Sequence, residues 1–475
     1  MIMAEETTKK TGFKGIVYWI CIVASLGGLL FGLDQGFIAN ALPTINEVYG
    51  LNLAGGEHFS AILFNGAAIG ALFSGFFARF LGRKKSLLLA GALFVLMSGI
   101  SVFLPPYEIL YWARFFLGMA VGIASFVVPL YLAETAPAKI RGAMGTLFQL
   151  MITIGIFGIS LTNVIFVQTI ESHVARLPLM FLVIVIFALL MFIGAIFLPE
   201  SPRWFMLKGR KDKANDVLMK VMNTQEEVDF EIKEMQETIG STSGESKGSV
   251  INGSFFKVMF VGIFMMVFQQ LVGINVMIYY APTIFGYASI GGIVGMMTVP
   301  LVNLLFTFPA IWLVEKWGRK KLLYVGSIIM FITMVAAGLA FLAIGTPAPG
   351  VVIGTFPKTV LLISVIVYIF GFAFSWGPVA WLICSEIFPI KGREVGMTIT
   401  TMVCWFFGGF VISCALTIMK TYGNSSLFFI FAGGCILSII FLFFWVPETQ
   451  GVTLEEIEMN LNEGKKLKHI GRTSE

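Results

Sequence analysis

The chain has 475 residues, of which 57% are hydrophobic and 12% charged, with a mean hydropathy of +0.89. Soluble proteins carry about 25% charged residues, so this composition excludes a large soluble domain and leaves a polytopic membrane protein. The formal charge of +5 sits in short loops, where it orients the chain in a bilayer, and implies no nucleic-acid partner.

Lys9, Lys10 and Lys14 precede an apolar run from Gly15 to Leu42. The run is too long for a cleaved signal peptide and long enough to cross a bilayer, which takes about 20 apolar residues. Asp34 stands inside it. An ionisable group at the middle of a spanning helix costs about 2.5–3.5 kcal/mol on insertion scales. A carboxylate kept against that cost faces a water-filled cavity or a partner, and often carries protons. Apolar segments then recur, twelve in all, at about 15–40, 59–79, 86–104, 110–133, 143–168, 177–198, 256–282, 290–314, 321–344, 358–387, 395–419 and 426–446. The five cysteines all fall in these segments, which argues against a disulfide framework.

Lys and Arg sort by loop. Arg79, Arg83, Lys84 and Lys85 follow segment 2; Lys139 and Arg141 follow segment 4; Lys316, Arg319, Lys320 and Lys321 follow segment 8; Lys391 and Arg393 follow segment 10. The alternate loops hold only Arg176, Lys358 and Lys420. The positive-inside rule therefore predicts that the first set, and both termini, are cytoplasmic. Residues 199–255 mix charges with spaced apolar residues, which predicts short amphipathic helices under the membrane domain, then a flexible linker at 240–249.

The two groups of six segments repeat. Gly-Arg-Lys-Lys at 82–85 recurs at 318–321, Glu134 with Arg141 recurs as Glu386 with Arg393, and Pro199-Glu200-Ser201 recurs as Pro447-Glu448-Thr449. Three pairs in one order, all on the cytoplasmic side, make a parallel repeat. The predicted fold is an all-α membrane protein of twelve transmembrane helices in two six-helix halves, with short cytoplasmic helices between them. Its parts are an N-terminal half at 1–198, a linker at 199–255, a C-terminal half at 256–446 and a tail at 447–475. Such repeats build transporters whose substrate binds near the midplane, between the halves.

At these motifs the chain resembles the sugar-porter family of the major facilitator superfamily. Further residues carry the resemblance: Arg114-Phe115-Phe116-Leu117-Gly118, Pro129-Leu130-Tyr131-Leu132-Ala133-Glu134, Pro202-Arg203-Trp204, Gln269-Gln270-Leu271-Val272-Gly273-Ile274-Asn275 and Trp376-Gly377-Pro378-Val379-Ala380-Trp381. They span nearly the whole chain, and the ordered set is specific where each alone is weak. The first segment looks nearest to the galactose–proton symport branch of bacteria. The resemblance implies alternating access, a monosaccharide substrate (galactose or glucose), a proton, a lipid bilayer and a plasma (inner) membrane location. It implies no cofactor or metal, and the expected state is a monomer.

The resemblance assigns Gln149, Gln269, Gln270, Asn275 and Asn303 as amides that contact the sugar, and Trp381 as the ring that packs on its apolar face. The assignment suits the chemistry, since an Asn or Gln side chain donates and accepts at once, as a sugar hydroxyl does. For each amide alone, a helix–helix hydrogen bond is the plainer reading. Segment 11 departs from the pattern: Cys404 and Gly408 stand where galactose-transporting relatives have Asn.

Asp34 and Arg114 are expected to pair toward the outer side, as the matching residues do in the family. Asp34 is the one acid within the first three predicted segments. On the cytoplasmic side, Arg83 and Arg319 are expected to reach Glu134 and Glu386, and Arg141 and Arg393 to reach Glu200 and Glu448, locking the inner face while the transporter faces outward. Arg79 stands before Gly82 where the second half has Glu315 before Gly318, so that local acid–base pair is missing from the first half. Segment 10 is expected to break near Pro378, and segment 7 can open at Gly273.

Other function classes fit less well. His58, His173 and His469 lie in predicted loops or the tail, and neither a metal-spacing cluster nor a Gly-x-x-x-x-Gly-Lys-Ser/Thr loop occurs, which argues against an enzyme or an ATP-driven pump. The nearer rival is a facilitated sugar or polyol uniporter; uniport members of the family typically carry Asn at the Asp34 place. The expectation is a proton-coupled monosaccharide symporter with Asp34 carrying the proton.

Overall fold

Each apolar segment forms helix, and the helices fall into two sets that repeat one packing scheme. The computed structural model describes residues 14–136, 141–244, 253–345, 354–389, 392–452 and 454–471. Lys9, Lys10, Lys139, Lys391, residues 245–249 of the expected linker and the side chains of Arg141 and Glu315 lie outside the described residues. The first six spans are α1 (Gly15–Tyr49), α2 (Leu53–Phe80), α3 (Arg83–Val102), α4 (Tyr107–Thr135), α5 (Arg141–Thr169) and α6 (His173–Ile196). Three further helices follow: α7 (Pro202–Leu207), α8 (Lys211–Val221) and α9 (Gln225–Gly244).

In the second half, α10 (Gly253–Leu271) and α11 (Ile274–Tyr287) form one broken span. The spans α12 (Gly292–Trp317) and α13 (Arg319–Ile344) come next, and then a second broken span, α14 (Thr355–Phe374) with α15 (Trp376–Ile387). The set ends with α16 (Arg393–Tyr422) and α17 (Ser426–Phe444), after which α18 (Leu454–Asn462) packs on α15. Twelve spans in the described residues are long and apolar enough to cross a membrane. Their outward faces carry large apolar side chains such as Phe73, Phe76, Leu190 and Ile193, which suits lipid rather than water.

Within the first half α2 packs on α4, α1 on α5 and α3 on α6; within the second α12 packs on α14, α10 on α16 and α13 on α17. Each contact has its counterpart under the repeat. The halves meet where α2 lies along α16, α5 along α12 and α1 against α11. Small residues allow the closest crossings: a Cβ on Gly118 of α4 would lie 2.0 Å from the Leu63 carbonyl oxygen of α2.

Three boundaries differ from expectation. The first span continues through Pro43 to Tyr49 because Leu42, Thr44 and Ile45 remain buried. The second begins at Leu53, capped by Asn52, whose side chain accepts from Gly55 N. It therefore includes Glu57, which is fully buried, so Asp34 is not the sole acid of the first three spans. Helix α9 runs to Gly244, into the stretch read as linker, since lengthening an existing helix adds a hydrogen bond per residue. The two breaks fall where the sequence indicated, at Gly273 and at Ser375.

Candidate functional site

Asp34 lies in the middle of α1 and Arg114 two turns into α4; both are buried. Arg114 Nη1 donates to Asp34 Oδ1 at 3.3 Å. It is a sparse pair. Asp34 Oδ2 and Arg114 Nε and Nη2 are buried without a hydrogen-bond partner among the described residues. The guanidinium instead rests against two rings, 5.3 Å from the centroid of Phe59 and 5.8 Å from that of Phe37, which attract a cation through their π-faces.

A cluster of amides lies beside it, and the break in the seventh span creates it. On a continuous helix, positions 270 and 275 stand about 140° apart. Gly273 adopts φ +98°, a conformation open to glycine, and turns the chain between α10 and α11. Asn275 Nδ2 then donates to Gln270 Oε1 at 2.5 Å. Gln270 Nε2 lies 3.3 Å from Gln269 Oε1 and 3.1 Å from Cys404 Sγ. The Cys404 thiol donates to Gln269 Oε1 at 3.1 Å, and Gln269 Nε2 donates to the Trp376 carbonyl at 3.3 Å. A Cβ on Gly408 would meet Gln270 Oε1 and the Phe64 ring, each at 2.9 Å. Both departures from the family pattern in segment 11 thus lie against Gln270.

The other expected sugar-site residues stand apart from this hydrogen-bonded cluster. Gln149 on α5, Asn303 on α12 and Trp381 on α15 are half-buried and take no part in its bonds. Three residues that the sequence reading passed over belong to the neighbourhood. Gln35, next to Asp34, donates from Nε2 to Asn275 Oδ1 at 3.5 Å and so joins the halves. Tyr279, one turn beyond Asn275, has a buried hydroxyl without a partner among the described residues. Trp405 packs on Phe31 and Phe64, and its indole N–H has no partner among the described residues. Gln35 had a signal, a second polar side chain inside an apolar run. Tyr279 and Trp405 had none, since aromatic residues are common throughout the spans.

At the helix ends expected to be cytoplasmic, Arg83 grips Glu134 with both fork arms, Nε to Oε2 and Nη2 to Oε1, each at 2.7 Å, and both side chains are about 95% buried. Ser201 Oγ donates to Glu134 Oε2 at 2.5 Å. The second half repeats this more loosely: Arg319 Nη2 donates to Glu386 Oε1 at 3.0 Å, and Thr449 Oγ1 to Glu386 Oε2 at 2.5 Å. Glu200 and Glu448 differ from expectation. No ion pair joins Arg393 to Glu448 among the described residues, and the side chain of Arg141 lies outside them. Instead Glu200 accepts from the backbone N–H groups of Arg83 and Lys84, and Glu448 from those of Arg319 and Lys320. Free N–H groups at a helix start attract anions.

Gly82 and Gly318 make the approach possible: φ is +96° and +86°, and a Cβ on Gly82 would sit 2.2 Å from Glu200 Oε2. Burial raises the Glu200 carboxyl above its ordinary range, while the N–H bonds from Ser201, Lys84 and Arg83 act against that rise. The bonds named here fasten helices within a half and do not cross between halves.

Known proteins share this architecture. The model of the family described as "Sugar (and other) transporter" matches residues 20–461. The galactose-proton symporter of Escherichia coli is 40% identical over 466 residues, 96% of this chain and 97% of its own. The arabinose-proton symporter of the same species is 36% identical over 459 residues, 95% of each chain. The structure is similar to the inward-open form of the xylose transporter XylE from E. coli, with a TM-score of 0.77 and 30% identity, covering 93% of this chain and 99% of that one. With the family model matched over residues 20–461 and a symporter 40% identical along 96% of it, the chain belongs to the sugar (and other) transporter family and is a multi-pass membrane transporter rather than an enzyme.

Proposed function

We propose that this protein is a proton-coupled monosaccharide symporter of the plasma (inner) membrane, working as a monomer with both termini cytoplasmic. Relatives named as galactose-proton and arabinose-proton symporters support the class. The observation that carries the coupling is the adjacency of a buried, half-made ion pair and an amide cluster, with Gln35 placed between Asp34 and Asn275.

The amide cluster supplies sugar recognition. Its donors and acceptors satisfy one another. A hexose exchanges those bonds for its own hydroxyls, so binding gains little per bond and discriminates by the pattern of hydroxyls. Galactose and glucose both suit such a site. Gln149, Asn303 and Trp381, on helices around the cluster, join once sugar fills it.

Asp34 supplies the coupling. Separating a buried ion pair leaves an uncompensated charge and costs about 3–5 kcal/mol. Protonating Asp34 from outside removes that charge first. Arg114 then stays on the faces of Phe37 and Phe59, a contact worth about 2 kcal/mol when desolvated. The sugar-loaded halves tilt inward, and loss of the proton to the cytoplasm restores the pair. Uptake into energised vesicles, with and without an uncoupler, tests the reading: accumulation above the outside concentration that the uncoupler abolishes supports it, and equilibration that ignores the uncoupler contradicts it.

A further inference from the structure

Glu57 has no role in the scheme above, yet it is fully buried on the outer side, where α2 meets α16 of the other half. Its Oε1 accepts from the backbone N–H of Leu416 at 2.6 Å and of Thr417 at 3.0 Å, and its Oε2 accepts from the Thr417 hydroxyl. Leu416 and Thr417 lie inside α16, where N–H groups ordinarily serve the carbonyls four residues back. The carbonyl that answers to Leu416 is Ile412's, and it accepts from the Tyr280 hydroxyl of α11 at 3.2 Å. Side chains from two helices, α2 and α11, thus bond to the backbone of one turn of α16, which stays helical throughout. A carboxylate has lone pairs for all three donors, and charge-assisted bonds of this kind are roughly twice as strong as neutral ones.

We propose that Glu57 is the latch of the outer face, a positioning residue that holds α2 of the first half against this turn of α16 and must let go whenever the cavity opens outward. The proposal rests on the alternating-access reading. Its readouts concern the outer face alone, so they stand apart from the coupling test and hold whether or not a proton moves.

The reporter is Cys404, buried in the amide cluster, in a background with Cys21, Cys384, Cys414 and Cys435 replaced by Ala. A membrane-impermeant thiosulfonate is added to intact cells. Glu57→Ala should raise the rate of Cys404 modification at least fivefold. Glu57→Gln, which keeps one acceptor oxygen, should fall between it and the parent. A Glu57→Ala variant that still binds sugar but labels at the parent rate overturns the latch. If Glu57→Ala does not fold, the pair Glu57→Cys with Thr417→Cys decides. Its oxidation should cut uptake by cells at least tenfold, reversibly by reductant, while sugar still binds from the cytoplasmic side in inverted vesicles. Full cross-linking with unchanged uptake, or no cross-link in the folded protein, overturns the proposal.

Discussion

Replacing Gln270 by Ala removes the hub of the amide cluster. Its side chain meets Asn275, Gln269 and Cys404 at 2.5, 3.3 and 3.1 Å. In the loaded protein the same carbonyl and amide face sugar hydroxyls. Two hydrogen bonds at about 0.5–1.5 kcal/mol each give a loss of about 1–3 kcal/mol, or roughly 5- to 150-fold in Kd. An opposing effect narrows this. The variant's empty state holds an unpartnered Asn275 Nδ2, which sugar can satisfy, so the expected loss is about tenfold. Calorimetry on purified protein at fixed pH reads it directly, with Asn275→Ala measured alongside. Kd values within twofold of wild type for both variants, with either sugar, would refute the assignment of the cluster as the sugar site.

Two further outcomes follow from named contacts. Cys404→Asn replaces a weak thiol donor and acceptor by an amide facing Gln269 and Gln270, so the ranking of galactose, glucose and xylose in competition binding should change; an unchanged ranking would reduce Cys404 to packing. Glu134→Ala leaves Arg83 buried without its carboxylate and should cost about 3–5 kcal/mol, measured as lower thermal stability in detergent. Glu386→Ala should cost less, because its pair makes a single contact and is 16–19% exposed; the reverse order would contradict the burial argument.

The twelve spans and the two-half repeat were legible because apolar length and basic loops are set by the bilayer itself. Both helix breaks were legible too, since Gly273 and Pro378 mark places where a helix cannot simply continue. Boundaries were not. Residues 53–58 (Leu-Ala-Gly-Gly-Glu-His) read as loop, yet they are the first turns of α2, and burial of Glu57 there depends on α16, some 360 residues away. The partner of Glu448 was missed for a related reason. Charge sorting suggests arginine for a glutamate, whereas the fold offers backbone N–H groups at a helix start, which have no letter in the sequence. Gln35 lay in plain view beside Asp34; its reach to Asn275 exists only because the seventh span turns at Gly273.

The coupling reading turns on Asp34. One proton moving down about 100 mV yields about 2.3 kcal/mol, and one pH unit adds about 1.4 kcal/mol. Together these sustain a sugar gradient of several hundredfold. Asp34→Asn has the shape of the protonated acid and releases Arg114 permanently. In vesicles energised by a pH and potential difference, this variant should bind sugar and exchange labelled for unlabelled sugar across the membrane, yet accumulate none above the outside concentration. Accumulation by Asp34→Asn that an uncoupler abolishes would show that another group carries the proton.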